Sequence, residues 1–272
     1  MSLTLPGPVV STLQEGRQAY IAVSSKGGPH VTPELYAWSG EQLWFGVASS
    51  TLKAKVVQRN RAAGAVVSIN DRSVMVQGEV EVLDPRHPKT WAAQARGLPK
   101  AMHAMARFTV RNAPDLLAFV GDAASGRLGW RVPPMRLVLR MEPSSVALIE
   151  GDSVSDGWGG WANFAADGAA ADVPAGGRRA VVGLPGPVAV PGRWFEDERR
   201  LHVVPGVLDL LHLERSFPLG VVVDEYSAPG PAAKQGQLLR GTGHVGRERG
   251  FIDVESDRVV EWDGIETTTA EA

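Results

Sequence analysis

Two lysines stand two residues apart behind a run of hydroxyl side chains: Ser49-Ser50-Thr51-Leu52-Lys53-Ala54-Lys55. Leu52, Val56 and Val57 lie one turn apart, and Ser49, Ser50 and Thr51 are helix-capping types, so a short helix is expected here. Hydroxyls, backbone amides and a cation within one turn suit a phosphate group, which needs N–H donors and positive charge at fixed positions. A capped surface helix with two solvated lysines would share the same pattern. Further candidates flank the segment. Val47 and Ala48 end the preceding strand-like run, and Thr32, Pro33 and Glu34 lie on the one before it. Ser73 and Gln77 bracket the start of a later strand, and Arg140 opens another.

The elements that carry these residues occur twice. Residues 43–68 align with 199–224 without a gap at an offset of 156: Val47 falls on Val203, Arg59 on Arg215, Gly64 on Gly220, and Val66-Val67 on Val222-Val223. Farther on, Gly78 falls opposite Gly241 and Gly151 opposite Gly264, in the same order. In the best-aligned block Lys53 meets Asp209 and Lys55 meets Leu211, so the cationic segment is intact only in the first copy. A long-period repeat speaks first about architecture.

Apolar runs at 19–25, 30–38, 43–48, 65–70 and 73–83, punctuated by Gly, Ser and Asp, read as a β-meander. Residues 84–128 are Ala- and Leu-rich with helical spacing and have no counterpart in the second copy, so a helical insertion is expected. The reading is therefore a mainly β protein. Its first domain spans 1–152, a Gly/Ala-rich linker spans 153–177, and a second, degenerate domain spans 178–272. The linker's Trp158, Trp161 and Phe164 suit docking on a domain surface, and the tail ETTTAEA is expected to be disordered.

Composition excludes several classes. With 44% hydrophobic and 21% charged residues the 272-residue chain is an ordinary globular protein. A net charge of −2 gives no support for nucleic-acid or acidic-membrane partners, and no stretch reaches the length of a membrane span. There is no basic, apolar leader at the N-terminus, and no cysteine, which fits a cytoplasmic location. The six histidines show no metal-ligand spacing, and there is no nucleophile elbow or phosphate-binding loop.

The run from AYIAVSSKGGPHVTP through LWFGVASSTLKAKVVQRNRAAGAVVSIN to VQGEVEVLD, closing with RMEPSSVALIEG, resembles the pyridoxamine 5′-phosphate oxidase-like, FMN-binding split-barrel superfamily. The resemblance covers 16–83 and 136–151 well and rests in the second copy on the repeat. It implies six-stranded split barrels that work in pairs, with a flavin in the groove between them. Here both barrels would come from one chain, as an intrachain pseudo-dimer, with further homodimerisation open. It implies cofactor contacts at Val47, Ala48, Ser49, Ser50, Thr51, Lys53, Lys55, Ser73, Gln77 and Arg140. The pattern departs at Val56, Arg61 and Ser73, which argues against pyridoxamine phosphate oxidation itself.

The resemblance thus points to an FMN-dependent oxidoreductase acting on a small-molecule substrate. An 8-hydroxy-5-deazaflavin coenzyme is the alternative, with Lys26, Arg59 and Arg61 available to an acidic tail. A degenerate, non-enzymatic ligand-binding barrel is the third reading. No residue is singled out as catalytic, because the coenzyme carries the redox step in such proteins.

Overall fold

The computed structural model describes residues 3–84, 91–126, 136–162, 176–226, 228–230, 233–264 and 266–271. A short helix α1 (Gly7–Glu15) leads into six strands: β1 (Gln18–Ser25), β2 (Gly28–Ser39), β3 (Gln42–Ala48), β4 (Ala62–Ile69), β5 (Arg72–Leu83) and β6 (Arg136–Glu150). Helix α2 (Leu52–Val57) joins β3 to β4, and helices α3 (Trp91–Arg111) and α4 (Ala113–Ala124) lie between β5 and β6. The antiparallel order β3-β2-β1-β4-β5-β6 closes on itself because β3 also pairs with β6, and β7 (Ser153–Gly159) continues past β6.

The second half repeats this order strand for strand. It comprises β8 (Arg178–Leu184), β9 (Val188–Phe195), β10 (Arg200–Val203), α5 (Pro205–Leu211), β11 (Ser216–Tyr226), β12 (Lys234–Val245), β13 (Phe251–Asp263) and β14 (Glu266–Glu271). The order is β10-β9-β8-β11-β12-β13-β14, closed by pairing of β10 with β13. Two six-stranded antiparallel barrels in tandem are what the repeat predicts. The helical excursion falls at α3 and α4, with no helix in the equivalent connection between β12 and β13.

Two segments differ from the sequence reading. Residues 153–159, placed in the linker by composition, form β7 on the edge of the first sheet. The tail expected to be disordered forms β14 against β13, because ETTTAE is β-branched at three positions and finds an unpaired edge. Trp161 is buried among residues of the second barrel's core, as a docking aromatic would be; Phe164 and the rest of 163–175 lie outside the described residues.

Alternation along the strands explains the pairing of barrels. Ile21, Val23, Ala65, Val67, Val74 and Val76 fill the first barrel. Their neighbours Ala22, Val66 and Met75 face outward and are equally buried, joining the second barrel's core of Val181, Leu184, Val190 and Val222. A strand apolar on both faces needs cover on both, which accounts for the unbroken Val-Val runs at 66–67 and 221–223.

The contact follows a pseudo-two-fold axis. Gly28 and Gly186 occupy equivalent turns with φ of 90° and 93°. At equivalent bulges, marked by register shifts at Gln77/Gly78 and Arg240/Gly241, side chains reach across. Gln77 donates to the Gly186 carbonyl, and Arg240 hydrogen-bonds His30 Nδ1 at 2.6 Å.

Candidate functional site

Two regions of the barrel–barrel seam, one on each side of the axis, gather polar side chains, and they are not equivalent: the second is an open cleft.

The first holds Lys53. Thr51 caps α2, its hydroxyl donating to the Ala48 carbonyl at 2.8 Å and accepting from the Ala54 amide at 3.4 Å. This turn directs Lys53 inward, where its side chain is only 6% exposed. Its ammonium forms an ion pair with Glu34 and donates to the Thr32 hydroxyl at 2.8 Å. From the opposite barrel, Lys234 at the start of β12 lies in the field of Glu34, Asp115, Asp224 and Lys53. Burial lowers the Lys234 pKa, and the three carboxylates oppose that shift. Asp224 accepts from the Tyr20 hydroxyl at 2.6 Å, and burial raises its pKa. Glu34 thus pairs with Lys53 of its own barrel and also acts, through its charge, on Lys234 of the other.

Helix α4 stands over the Lys234 end of this groove. The Gly230 amide donates to Asp115 at 3.1 Å, and the same residues bring 228–230 against Ala118. His30 lies deeper. Burial, with help from Arg240 and Lys53, pushes its pKa down to about 3. A neutral ring can accept the Arg240 hydrogen bond at Nδ1 with the proton on Nε2; a charged ring could not.

The second groove is open. A cleft of about 690 Å³ lies between the β4–β5 turn of the first barrel and β8–β10 of the second. Arg17, Arg179, Arg193, Ser68, Ser73 and His202 line it. Burial lowers the His202 pKa, with Asp152 and Arg193 pulling in opposite directions.

The structure gathers some of the expected residues and scatters others. Val47, Ala48, Ser49, Ser50, Thr51 and Lys53 are contiguous at the end of β3 and the start of α2. Val47 is packed inside the barrel, and Lys55 points to solvent. Ser73 is in the second groove, sharing a 2.8 Å hydrogen bond with Ser68. Gln77 is spent on the Gly186 turn, and Arg140 pairs with Glu81 over the Trp44 ring. None of these three shares a described partner with Lys53.

Sequence reading missed Lys234, Asp224, Tyr20, Arg179 and Arg193. Their sites form at the barrel–barrel contact, which the repeat and the split-barrel resemblance signalled without pointing to these residues. Among the described residues no group of His, Asp and Glu could hold a metal ion, and no helix is long and apolar enough to cross a membrane.

Residues 8–128 match the family model of pyridoxamine 5′-phosphate oxidase. The matched stretch runs from α1 to just past α4, so the likeness lies in the first half of the chain. Solved structures similar to the chain include a FAD-binding protein from Mesorhizobium loti, at 19% identity and a TM-score of 0.36, covering 56% of this chain and 99% of that one. A pyridoxamine 5′-phosphate oxidase-related, FMN-binding protein from Nostoc punctiforme is 17% identical, with a TM-score of 0.34 and coverage of 49% and 74%. An F420 reductase is 21% identical, with a TM-score of 0.32 and coverage of 52% and 98%. No curated protein sequence matches the chain. One chain supplies both barrels, and the two sides of its seam carry different side chains.

Proposed function

We propose that this protein binds a phosphate-bearing flavin-type coenzyme, FMN in the first instance, in the groove that holds Lys53, and uses it to oxidise or reduce a small molecule. The observation that carries this reading is the buried Lys53 ammonium, paired with Glu34 and bonded to Thr32, with Lys234 of the other barrel within the field of the same carboxylate. The carboxylate paired with the buried Lys53 ammonium stands where an anionic ligand would bind, so the donor set suits a phosphate. Such groups are expensive to bury without a counter-charge, and Glu34 supplies one.

In this reading Lys53, the Thr32 hydroxyl and Lys234 hold the phosphate. Glu34 swings from Lys53 toward Lys234 or solvent as the anion enters. The end of β3, Val47 to Ser49, offers backbone groups to the ring system. The bound coenzyme supplies two-electron transfer, and the chain supplies position and water exclusion. Helix α4 and residues 228–230 shield the groove from bulk water. His30, held neutral beside Arg240, adds no charge to a site already crowded with it.

The test is reconstitution. Protein incubated with excess FMN and desalted should keep a visible flavin spectrum, and Lys53→Met should lose it. A wild-type protein that retains no flavin but retains the 8-hydroxy-5-deazaflavin coenzyme would move the assignment to that coenzyme. Retention of neither would overturn the reading.

A further inference from the structure

We infer that the second seam groove is a separate ligand site, which takes a small organic anion with an apolar face and not the coenzyme of the Lys53 groove. The two sides of the seam occupy equivalent places in the repeat, and three differences separate them.

The first is at the position of Glu34. Counting from Gly28 and Gly186, Glu34 corresponds to Gly192. A Cβ on Gly192 would sit 2.6 Å from the His202 carbonyl, so no side chain can enter there. The carboxylate that fills the first groove has no counterpart in the second.

The second is the connection across the mouth. In the second barrel, β11 and β12 are joined by residues 227–233, whose Gly230 is clasped by Asp115 of α4. The equivalent connection in the first barrel is the two-residue turn Asn70-Asp71. A short turn leaves its groove uncovered, which is why about 690 Å³ of open cleft is found there. That volume is in the usual range of small-molecule sites.

The third is the charge. Strand pairing sets Ala22 opposite Gly64 and Gly183 opposite Gly220, which makes Arg179 the counterpart of Gln18. Arg193 stands in the place of Leu35. Both guanidinium groups are anchored by one backbone carbonyl: Arg179 on Asn70 at 3.1 Å and Arg193 on Gly176 at 3.3 Å. Among the described residues neither forms an ion pair, whereas Arg72, Arg140, Arg178, Arg200 and Arg249 all do. A guanidinium has five donors in a planar fork, so one bond to a carbonyl leaves the geometry free to receive a carboxylate, sulfonate or phosphate. Ile149, Val181 and Pro191 give the cleft an apolar wall beside these forks. The carboxylates of Glu15, Asp71 and Asp152 also border it, so the anion is placed at the Arg179–Arg193 side.

The probe is 8-anilino-1-naphthalenesulfonate, which joins an apolar ring system to one sulfonate and fluoresces when shielded from water. Its Kd should rise at least tenfold in Arg179→Glu/Arg193→Glu. It should also rise in Asn70→Asp, an exposed turn residue at the rim whose replacement tolerates the same backbone. Arg107→Glu/Arg247→Glu, an equal charge change at exposed sites elsewhere, should leave it within twofold. Equal binding in the wild type and both cleft variants would overturn the proposal. So would displacement of the dye by FMN in Lys53→Met protein, since the coenzyme would then be the cleft's own ligand. Failure of flavin retention by the wild type would leave this assignment standing, because no step of it uses Lys53.

Discussion

Gly64 and Gly220 hold the same place in the two halves of the chain, and each receives the turn of the opposite barrel: Gly64 faces Pro187 and Val188, and Gly220 faces Pro29. An ideal Cβ on Gly64 would lie 2.5 Å from the Pro187 carbonyl and 2.9 Å from the Val188 Cα; one on Gly220 would lie 2.8 Å from the Pro29 carbonyl. These are backbone atoms, which cannot swing aside.

Gly64→Ala should therefore destabilise the protein by about 1–3 kcal/mol, the range for overpacking a close contact. Gly121→Ala, whose Cβ would meet nothing within 4 Å on α4, should be neutral or stabilising by about 0.5–1 kcal/mol. Thermal unfolding of the two variants checks this. A Gly64→Ala protein as stable as the wild type would show that the seam can loosen freely.

Much of this arrangement was legible in the sequence, because the seam is built from local patterns. Val66-Val67 and Val222-Val223 advertise strands buried on both faces, and Gly64 and Gly220 align within the same block. What stayed hidden depends on contacts between distant residues. Nothing near Lys234 in sequence announces Lys53, and nothing near Glu34 shows that it will neutralise a lysine nineteen residues on. Gln77 and Arg240 are equivalent positions of different chemistry, so alignment gave no hint that both would reach for the partner barrel's first turn. Ser73, read as a coenzyme contact beside Lys53, belongs to the other groove because β5 faces the seam from the opposite side of the axis. The tail's strand was invisible because its residues are all exposed, and only the free edge of β13 orders them.

The Lys53–Glu34 pair makes a stability prediction that stands apart from any ligand. Both side chains are largely buried, at 6% and 18% exposure. Lys53→Met strands the carboxylate and should cost about 3 kcal/mol, toward the lower end for breaking a buried pair. Lys53→Met/Glu34→Gln should recover part of that loss. Denaturant unfolding of the single and double variants measures the coupling, and strict additivity would contradict the pairing.

His30 makes the fold acid-sensitive. Its pKa falls from the usual 6.5 to about 3 in the folded protein, so between those values the unfolded chain binds the extra proton. Stability must then fall as pH drops from about 6.5 toward 3, with a slope approaching about 1.4 kcal/mol per pH unit from this residue. His202 shifts in the same direction, whereas Asp224, raised by burial, works oppositely. His30→Gln isolates the first contribution, since the amide oxygen can still accept from Arg240. Its stability between pH 4 and 6 should vary less steeply than the wild type's, as read from urea midpoints at each pH; identical slopes would contradict the assignment.

The central claim is that an anionic coenzyme competes with Glu34 for Lys53. The most direct measurement is FMN titration, followed by quenching of flavin fluorescence, of the wild type, Glu34→Gln and Lys53→Met. The account predicts binding by the wild type, tighter binding by Glu34→Gln because the competing carboxylate is gone, and at least a hundredfold loss in Lys53→Met. FMN binding that is indifferent to both substitutions would contradict it and place the coenzyme elsewhere on the seam.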